Sequence, residues 1–273
     1  MKIGFWNERY KRQLEAMKVI ILAGGLGTRL SEETDLKPKP MVLIDQQPIL
    51  WHLMSSFSAQ GFDDFVIALG YKGEVIKAWL STLGQLDGDI QIDTGTGKVK
   101  NLSHSKKTNS WNVTALETGL HTQTGGRIRR CMGQFPKEKV IVTYGDGLAN
   151  INVQELLQFH SNSGKLATVT AVRPPSRFGQ LSIVGNSVTE FGEKVLKHED
   201  WINGGYFVLE PEIYEMIKSD SDSFEFDTLP NIVNQGQLAA YKHKGFWKPM
   251  DTLREKNEFS DLAKLATPPW LSI

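Results

Sequence analysis

Short apolar runs alternate with segments of helical period along this chain, and that alternation limits the folds it can adopt. Residues 19–22, 65–69 and 140–144 are apolar and largely β-branched, which is typical of strands buried on both faces. Residues 48–57 carry apolar side chains at helical spacing, and residues 152–161 are predicted to form another helix. The pattern predicts an α/β fold, a doubly wound, mostly parallel sheet with helices on both faces.

The second half of the chain is more mixed. Residues 181–191 predict a hairpin, and residues 201–209 predict a further strand. Further helices are predicted over residues 211–218, 227–235 and 252–265. No repeat or linker is visible, so we expect a single domain over residues 17–273 with a small C-terminal extension.

Residues 1–16 form an N-terminal extension whose role the sequence leaves open. They are polar and aromatic without an apolar core, so we predict no signal peptide there. Either Met17 is the native translation start and this extension lies upstream of it, or Phe5, Trp6 and Tyr10 form a short helix against the body or a partner subunit.

Charge balance and residue usage disfavour several classes of protein. The 273 residues include 31 Lys and Arg against 31 Asp and Glu, whereas proteins that bind nucleic acid through its backbone usually carry a basic excess. No apolar run approaches the ~20 residues that a membrane-spanning helix needs. The single cysteine, Cys131, forms no internal disulfide or CxxC site and is predicted to pack within a helix. We expect no nucleic-acid partner, no membrane partner and a cytoplasmic location.

A glycine loop follows the first predicted strand, where parallel sheets bind their ligands. It reads Leu22-Ala23-Gly24-Gly25-Leu26-Gly27-Thr28-Arg29. Glycines allow successive N–H groups to approach a phosphate, while the Thr28 hydroxyl and the Arg29 guanidinium add donors. It is not a dinucleotide fingerprint, because Leu30 stands where a third glycine is needed, and it is not a P-loop. We predict an anion-binding loop.

Lys37-Pro38-Lys39-Pro40 follows that loop. The two prolines restrict the backbone to an extended path, which holds the lysines in place. Alone, such a stretch is more often a solvated loop. Together with the preceding glycine loop, however, it forms a highly specific combination.

Two aspartates are candidate metal ligands. Asp146 lies directly after the predicted strand 140–144, and Asp251 lies in Trp247-Lys248-Pro249-Met250-Asp251-Thr252. Mg²⁺ prefers one or two carboxylates plus substrate phosphates to a cage made only of protein. Structural alternatives stay open, since Asp146 also suits a turn and Asp251 also suits the N-cap of the last helix.

Taken together, these motifs resemble the signature of the sugar-1-phosphate nucleotidyltransferases. That signature, Gly-x-Gly-Thr-Arg and then Pro-Lys-Pro, is present as Gly25-Leu26-Gly27-Thr28-Arg29 and Pro38-Lys39-Pro40. The resemblance covers residues 17–270 and implies a Rossmann-like nucleotidyltransferase sheet. It also implies that residues 22–29 surround the base, ribose and phosphates of a nucleotide.

The same resemblance implies roles for individual residues. Arg29, Lys39 and Asp146 would be catalytic, and Asp146 and Asp251 would bind the cofactor Mg²⁺. The implied nucleotide-binding residues are Leu22, Ala23, Gly24, Gly25, Leu26, Gly27, Thr28, Arg29, Lys39, Thr122, Arg127 and Gly145.

A second group of residues resembles the sugar side of the family. Gly179 stands in Arg177-Phe178-Gly179, and Asn203 stands in an Asn-Gly-Gly segment. Glu193 and Lys194 resemble the Glu-Lys pair that binds sugar hydroxyls and the sugar phosphate, although Val195 replaces the usual proline. The resemblance therefore implies Gly179, Glu193, Lys194 and Asn203 as residues that bind the sugar phosphate.

Within the family the chain resembles the cytidylyltransferase subgroup, most clearly at Thr124-Gly125-Gly126-Arg127. Glycines at a helix start are expected to expose N–H donors, and Arg127 adds charge for a phosphate. The subgroup implies CTP and α-D-glucose 1-phosphate as substrates, with CDP-glucose and pyrophosphate as the products of an Mg²⁺-dependent in-line attack. It further implies a homo-oligomer and a place in dideoxysugar synthesis for surface polysaccharides such as the O-antigen of lipopolysaccharide.

Other functions stay open at this stage. A thymidylyl- or uridylyltransferase on the same fold is the nearest alternative, and a guanylyltransferase is more distant. From a different class, the chain could be a non-catalytic sensor of nucleotide sugars. A sensor would be expected to lack at least one of Arg29, Lys39, Asp146 and Asp251, which are all present.

Overall fold

The protein is described by a computed structural model that covers residues 17–27, 30–83, 89–102, 110–174, 180–184, 187–192 and 201–272. The strands are β1 Lys18–Leu22, β2 Leu43–Ile44, β3 Gln47–Pro48, β4 Asp64–Leu69, β5 Ile90–Asp93, β6 Lys98–Asn101, β7 Asn112–Glu117, β8 Val140–Tyr144, β9 Gly147–Ala149, β10 Ala167–Val172, β11 Gln180–Val184, β12 Ser187–Gly192, β13 Ile202–Leu209, β14 Leu238–Lys242 and β15 Trp247–Pro249. The helices are α1 Ser31–Thr34, α2 Ile49–Ser58, α3 Gly73–Thr82, α4 Thr124–Met132, α5 Val153–Ser163, α6 Ile213–Met216, α7 Leu229–Asn234 and α8 Leu253–Ala263.

The main sheet has the strand order β14-β10-β13-β8-β1-β4-β7. The pairs β1–β4, β1–β8, β4–β7 and β10–β14 are parallel, while β13 runs antiparallel to both of its neighbours. The prediction of a mostly parallel sheet is confirmed.

The central strand β1 is buried on both faces because its side chains alternate between two apolar clusters. Val19 and Ile21 pack into one cluster with α2 and α5, and Ile20 packs into the other with α4 and α7. Helices therefore cover both faces, as predicted for a doubly wound sheet. From the C-terminal extension, Phe259 and Trp270 are fully buried in the first cluster.

Cys131 lies on the buried face of α4, as the sequence predicted. Its thiol is fully buried, and that burial raises its pKa to about 12. A thiol with such a pKa is almost entirely protonated near neutral pH and is a poor nucleophile.

The second half differs from the predicted pattern in its helices. The helix predicted over residues 211–218 is limited to α6, because the backbone at Ile217 is extended. The helix predicted over residues 227–235 is confirmed as α7, Leu229–Asn234, but a π-helical turn, Phe224–Thr228, leads into it and replaces its predicted first residues. Pro230 stands in the first turn of α7, and a proline lacks the N–H that would continue a helix from further upstream.

The predicted hairpin is confirmed in β11 and β12, which pair antiparallel. Residues 1–16, for which two explanations were open, lie outside the described part of the chain.

The sheet brings several chain segments to one edge. Leu22, the last residue of β1, is in register with Ala68 of β4 and Tyr144 of β8. The segments after these parallel strands therefore leave the sheet side by side. Because β13 is antiparallel to β8, it begins at that same edge with Ile202 and Asn203.

Candidate active site

The described part of the glycine loop, residues 22–27, is held by hydrogen bonds at both ends, where Gly27 O accepts the N–H of Leu30 at 3.0 Å, and is open in the middle. Ala23 donates its N–H to Ala68 O at 3.0 Å, and Gly24 O accepts the N–H of Tyr71 at 3.1 Å. Gly27 has a φ of 65°, a left-handed conformation that favours glycine. Between these ends Gly25 is exposed. This geometry leaves the central backbone accessible to a ligand.

Arg127 supports the loop from below and is only 4% exposed. Its Nη1 donates to Leu69 O at 2.9 Å and to Thr118 Oγ1 at 2.6 Å, and its Nη2 donates to Gly24 O at 3.1 Å. Burial lowers the pKa of this guanidinium below its usual value. The predicted contact of Arg127 with a phosphate stays a prediction, since in this structure these donors hold the backbone of the loop.

Gly125 and Gly126 have a packing role that the sequence did not predict. A Cβ at Gly125 would lie 2.6 Å from Asp222 O, and one at Gly126 would lie 2.6 Å from Asp220 Cα. Both residues are buried, and Gly126 donates its N–H to Asp222 O at 3.3 Å. The expectation that these glycines expose donors is wrong, because the 220–222 segment covers them. Nearby, Thr122 is half-buried just before α4.

Lys39 and two aspartates form the centre of the candidate site. The Lys39 Nζ lies 2.8 Å from Asp146 Oδ2 and 2.8 Å from Asp251 Oδ1. The side chain of Lys39 is 10% exposed, that of Asp146 is 36% exposed and that of Asp251 is 18% exposed. Three residues far apart in the sequence therefore converge on one partly open point.

Short backbone contacts bring these three residues together. Gly145 donates its N–H to Leu22 O at 3.0 Å, which places Asp146 next to the glycine loop. The strands β9 and β15 pair antiparallel, and Met250 donates its N–H to Asp146 O at 2.8 Å, so Asp251 follows beside Asp146. Lys39, which lies between Pro38 and Pro40, is the first residue of a buried 3₁₀ turn.

Asp251 is not the N-cap of the last helix. Thr252 caps α8, and together with Glu255 it forms a capping box, a common helix start. Asp251 instead donates its backbone N–H to Glu255 Oε2 at 2.7 Å and directs its carboxylate to Lys39. The structural alternative for this aspartate is therefore wrong.

The electrostatics of the cluster keep Lys39 charged. Burial alone would lower the pKa of Lys39, but the charge of Asp146 and hydrogen bonds to both aspartates outweigh burial and raise it above its usual value. The carboxylates of Asp146 and Asp251 therefore already face a cation. Oxygen ligands of this kind suit Mg²⁺, which needs only one or two of them besides substrate phosphates. Among the described residues no group of three or more His, Cys, Asp or Glu side chains could hold a metal.

Of the four residues predicted to bind the sugar phosphate, the structure describes Asn203 but not the other three. Asn203 is exposed, accepts the N–H of Gly205 at 2.8 Å and donates to Tyr144 Oη at 3.3 Å. The predicted residues outside the described part of the chain are Thr28, Arg29, Gly179, Glu193 and Lys194.

Sequence reasoning missed two residues at this edge. The hydroxyl of Tyr144 donates to the carboxylate of Glu225, which lies in the π-helical turn. In the sequence, Tyr144 is recognisable only as the last residue of the predicted strand 140–144, and Glu225 belongs to no motif. Their contact spans 81 residues of sequence, so no local pattern could have indicated it.

No helix in the described ranges has both the length and the apolar character that crossing a membrane requires.

The chain is similar to known proteins over most of its length. A family model described as nucleotidyl transferase matches residues 18–255. A glucose-1-phosphate cytidylyltransferase of Salmonella typhi is 44% identical over 256 residues, which is 93% of this chain and 98% of that relative. A probable glucose-1-phosphate cytidylyltransferase of Bacillus subtilis is 38% identical over 255 residues, with 93% and 99% covered. Among solved structures, HddC from Yersinia pseudotuberculosis has a TM-score of 0.67 and 25% identity, and the match covers 91% of this chain and 100% of that one.

The support of the loop by Arg127 can be tested with two alanine substitutions. A Cβ at Gly24 would lie 2.2 Å from Arg127 Nη1, whereas a Cβ at Gly25 meets nothing within 4 Å. Because the guanidinium is buried and hydrogen-bonded, moving it breaks several contacts. We expect Gly24→Ala to lower the free energy of unfolding by about 1–3 kcal/mol, as measured in urea without ligands. Gly25→Ala is the matched control, and an equal loss in both variants would contradict the supporting role.

Proposed function

The chain belongs to the nucleotidyl transferase family, and on that premise we propose that it transfers the cytidylyl group of CTP to glucose 1-phosphate. The products are CDP-glucose and pyrophosphate. The Salmonella and Bacillus relatives are 44% and 38% identical to this chain over 93% of its length, and this similarity supports the choice of nucleotide and sugar. The structural observation that carries the proposal is the convergence of Lys39, Asp146 and Asp251 beside the glycine loop.

The reaction requires no nucleophile from the protein. A phosphate oxygen of glucose 1-phosphate attacks the α-phosphorus of CTP, and the bond from that phosphorus to the oxygen of the β-phosphate breaks. Cys131, the single thiol of the chain, is buried in α4 with a pKa raised to about 12, which fits this direct transfer. Catalysis therefore depends on positioning and on neutralising charge.

The residues of the cluster divide this work. The open backbone of the glycine loop binds the phosphates of the nucleotide, with Arg29 as a further predicted contact. The ammonium of Lys39 neutralises charge at the reacting phosphoryl group, and Lys194 is predicted to do so at the sugar phosphate. Because its two aspartates fix the Lys39 ammonium before the reaction, it stabilises developing charge without reorganisation during the step.

Asp146 and Asp251 would hold Mg²⁺ in the substrate complex. The cation would supply charge neutralisation to the triphosphate. The two carboxylates reach the Lys39 ammonium from different chain segments, and this arrangement of oxygen ligands around one cation supports the assignment. A bound Mg²⁺ would then compete with the Lys39 ammonium for the same oxygens.

Several finer expectations stay predictions. They are the homo-oligomer, the cytoplasmic location and the place in dideoxysugar synthesis for the O-antigen of lipopolysaccharide. None of them is needed for the reaction proposed here.

The proposed nucleotide specificity can be tested directly. Purified protein with Mg²⁺ and glucose 1-phosphate is supplied in turn with CTP, UTP, dTTP, ATP or GTP, and pyrophosphate release is measured. We expect release with CTP at a rate at least about tenfold above the others, because one discriminating interaction contributes roughly 1.4 kcal/mol. Faster release with another nucleotide would reject the cytidylyl assignment, and no release with any nucleotide would favour a sensor.

A substitution at Asp146 tests the carboxylate cluster. We expect Asp146→Asn to lower kcat by about 100-fold or more, because it removes one of the two carboxylates that position the Lys39 ammonium and would hold Mg²⁺ at the reacting phosphates. Its melting temperature should stay close to that of the wild type, since Lys39 keeps its contact with Asp251. Asp261→Asn, at an exposed pair with Lys264 on α8, is the control. Near-normal Mg²⁺-dependent turnover in Asp146→Asn would remove Asp146 from the site.

Competition between Lys39 and Mg²⁺ can be measured without turnover. Lys39→Met removes the ammonium while keeping most of the side-chain length, so Mg²⁺ no longer has to displace it. We expect MgCl₂ to raise the Tm of Lys39→Met by about 2–4 °C more than that of the wild type, equivalent to ~1 kcal/mol of added binding. Lys264→Met should behave like the wild type. An equal Mg²⁺ effect on Lys39→Met and the wild type would contradict the competition.

A further inference from the structure

A chain of side-chain hydrogen bonds runs along the sugar side of the site. Asn203 Nδ2 donates to Tyr144 Oη at 3.3 Å, and the Tyr144 hydroxyl donates to Glu225 Oε1. Asn203 Oδ1 accepts the backbone N–H of Gly205 at 2.8 Å. The oxygen and one Nδ2 hydrogen of the Asn203 amide therefore have partners within the protein. The second Nδ2 hydrogen is left for a ligand at this exposed edge.

The ring of Tyr144 is fixed by close packing. Gly205 has a φ of 79°, and a Cβ there would lie 2.4 Å from Tyr144 Cδ2. The ring of Phe207 also packs edge-on against Tyr144, with centroids 6.1 Å apart. Phe207 packs in turn against Phe224, the residue before Glu225. The hydroxyl of Tyr144 therefore has a defined position.

Glu225 is anchored from the nucleotide side. Its Oε2 accepts the hydroxyl of Thr124 at 2.5 Å and that of Ser223 at 2.9 Å. Thr124 is the first residue of α4, the helix that carries Arg127. The Tyr144 hydroxyl donates to the other oxygen, Oε1, of the Glu225 carboxylate. Every bond in this chain has one direction, from Asn203 towards Glu225.

We propose that Tyr144 and Glu225 are positioning residues that hold the Asn203 amide in one orientation for glucose 1-phosphate. The proposal rests on the proposed function, because glucose 1-phosphate is the substrate that the ordered amide would bind. An exposed Asn side chain in solution samples several orientations, and ordering it on binding costs free energy. The tyrosine and glutamate supply that order before the sugar phosphate arrives.

The inference predicts an effect on one substrate more than on the other. Tyr144→Phe keeps the packed ring, which maintains the end of β8 and Asp146, but removes the hydroxyl that receives Asn203. We expect KM for glucose 1-phosphate to rise by about 5- to 10-fold, the size of one lost hydrogen bond. KM for CTP and kcat should stay within about twofold of the wild type, because the glycine loop and the Lys39 cluster are unchanged.

The experiment measures kcat and both KM values for the wild type and five variants. Glu225→Ala should raise KM for glucose 1-phosphate as Tyr144→Phe does, and Glu225→Gln should largely restore it because the amide oxygen still accepts from the phenol. The double variant of Tyr144→Phe with Glu225→Ala should be no worse than either single variant, as expected for one connected unit. Tyr241→Phe removes a comparable tyrosine–glutamate bond, to Glu155 at 3.2 Å, on the edge strand β14, and should show wild-type kinetics.

The outcomes separate this inference from the proposed function. Wild-type protein that makes no CDP-glucose from CTP and glucose 1-phosphate overturns the proposed function and the inference with it. An active wild type whose KM for glucose 1-phosphate is unchanged in Tyr144→Phe overturns the inference alone. An equal rise of both KM values in Tyr144→Phe also overturns it, because a general structural defect would affect both substrates.

Discussion

The ammonium of Lys39 between two carboxylates is the interaction on which the rest of the candidate site depends. It joins a proline-flanked turn to Asp146 after β8 and to Asp251 before α8. A buried lysine needs compensation for lost hydration, and paired carboxylates provide it. The same compensation concentrates negative charge where a cation and a triphosphate must later meet. One cluster therefore both compensates the buried ammonium and prepares the site for substrate.

A second constraint lies under the glycine loop, where Arg127 is buried against carbonyl and hydroxyl oxygens of residues including Gly24, Leu69 and Thr118. Each donor of a guanidinium needs an acceptor when it is buried, and carbonyl oxygens fix the backbone that carries them. Residues without a Cβ leave room for the guanidinium, as at Gly24. The buried Arg127 side chain thus supports the backbone under the open centre of the loop. Arg127 lies in α4, the helix that also contacts Glu225 through Thr124.

Much of the fold could be predicted because local patterns and parallel-sheet geometry act together. A β-branched run such as residues 140–144 predicts a buried strand, and residues directly after such strands reach the ligand edge. Prediction was weaker where one local signal had two uses. The glycines at 125 and 126 suit a phosphate-binding helix start, yet they are small because the 220–222 segment packs on them. Asp251 suits an N-cap, yet Thr252 beside it takes that role.

The sequence by itself determined the sheet class, the position of the glycine loop after β1 and the residue types of the site, because these depend on neighbouring residues and on periodicity. Only the tertiary structure decided which distant side chains meet. Lys39 contacts Asp251 across 212 residues, and Tyr144 contacts Glu225 across 81. Such contacts follow from strand order and helix packing over the whole core. The residues around a carboxylate in the sequence do not indicate which distant side chain it will contact.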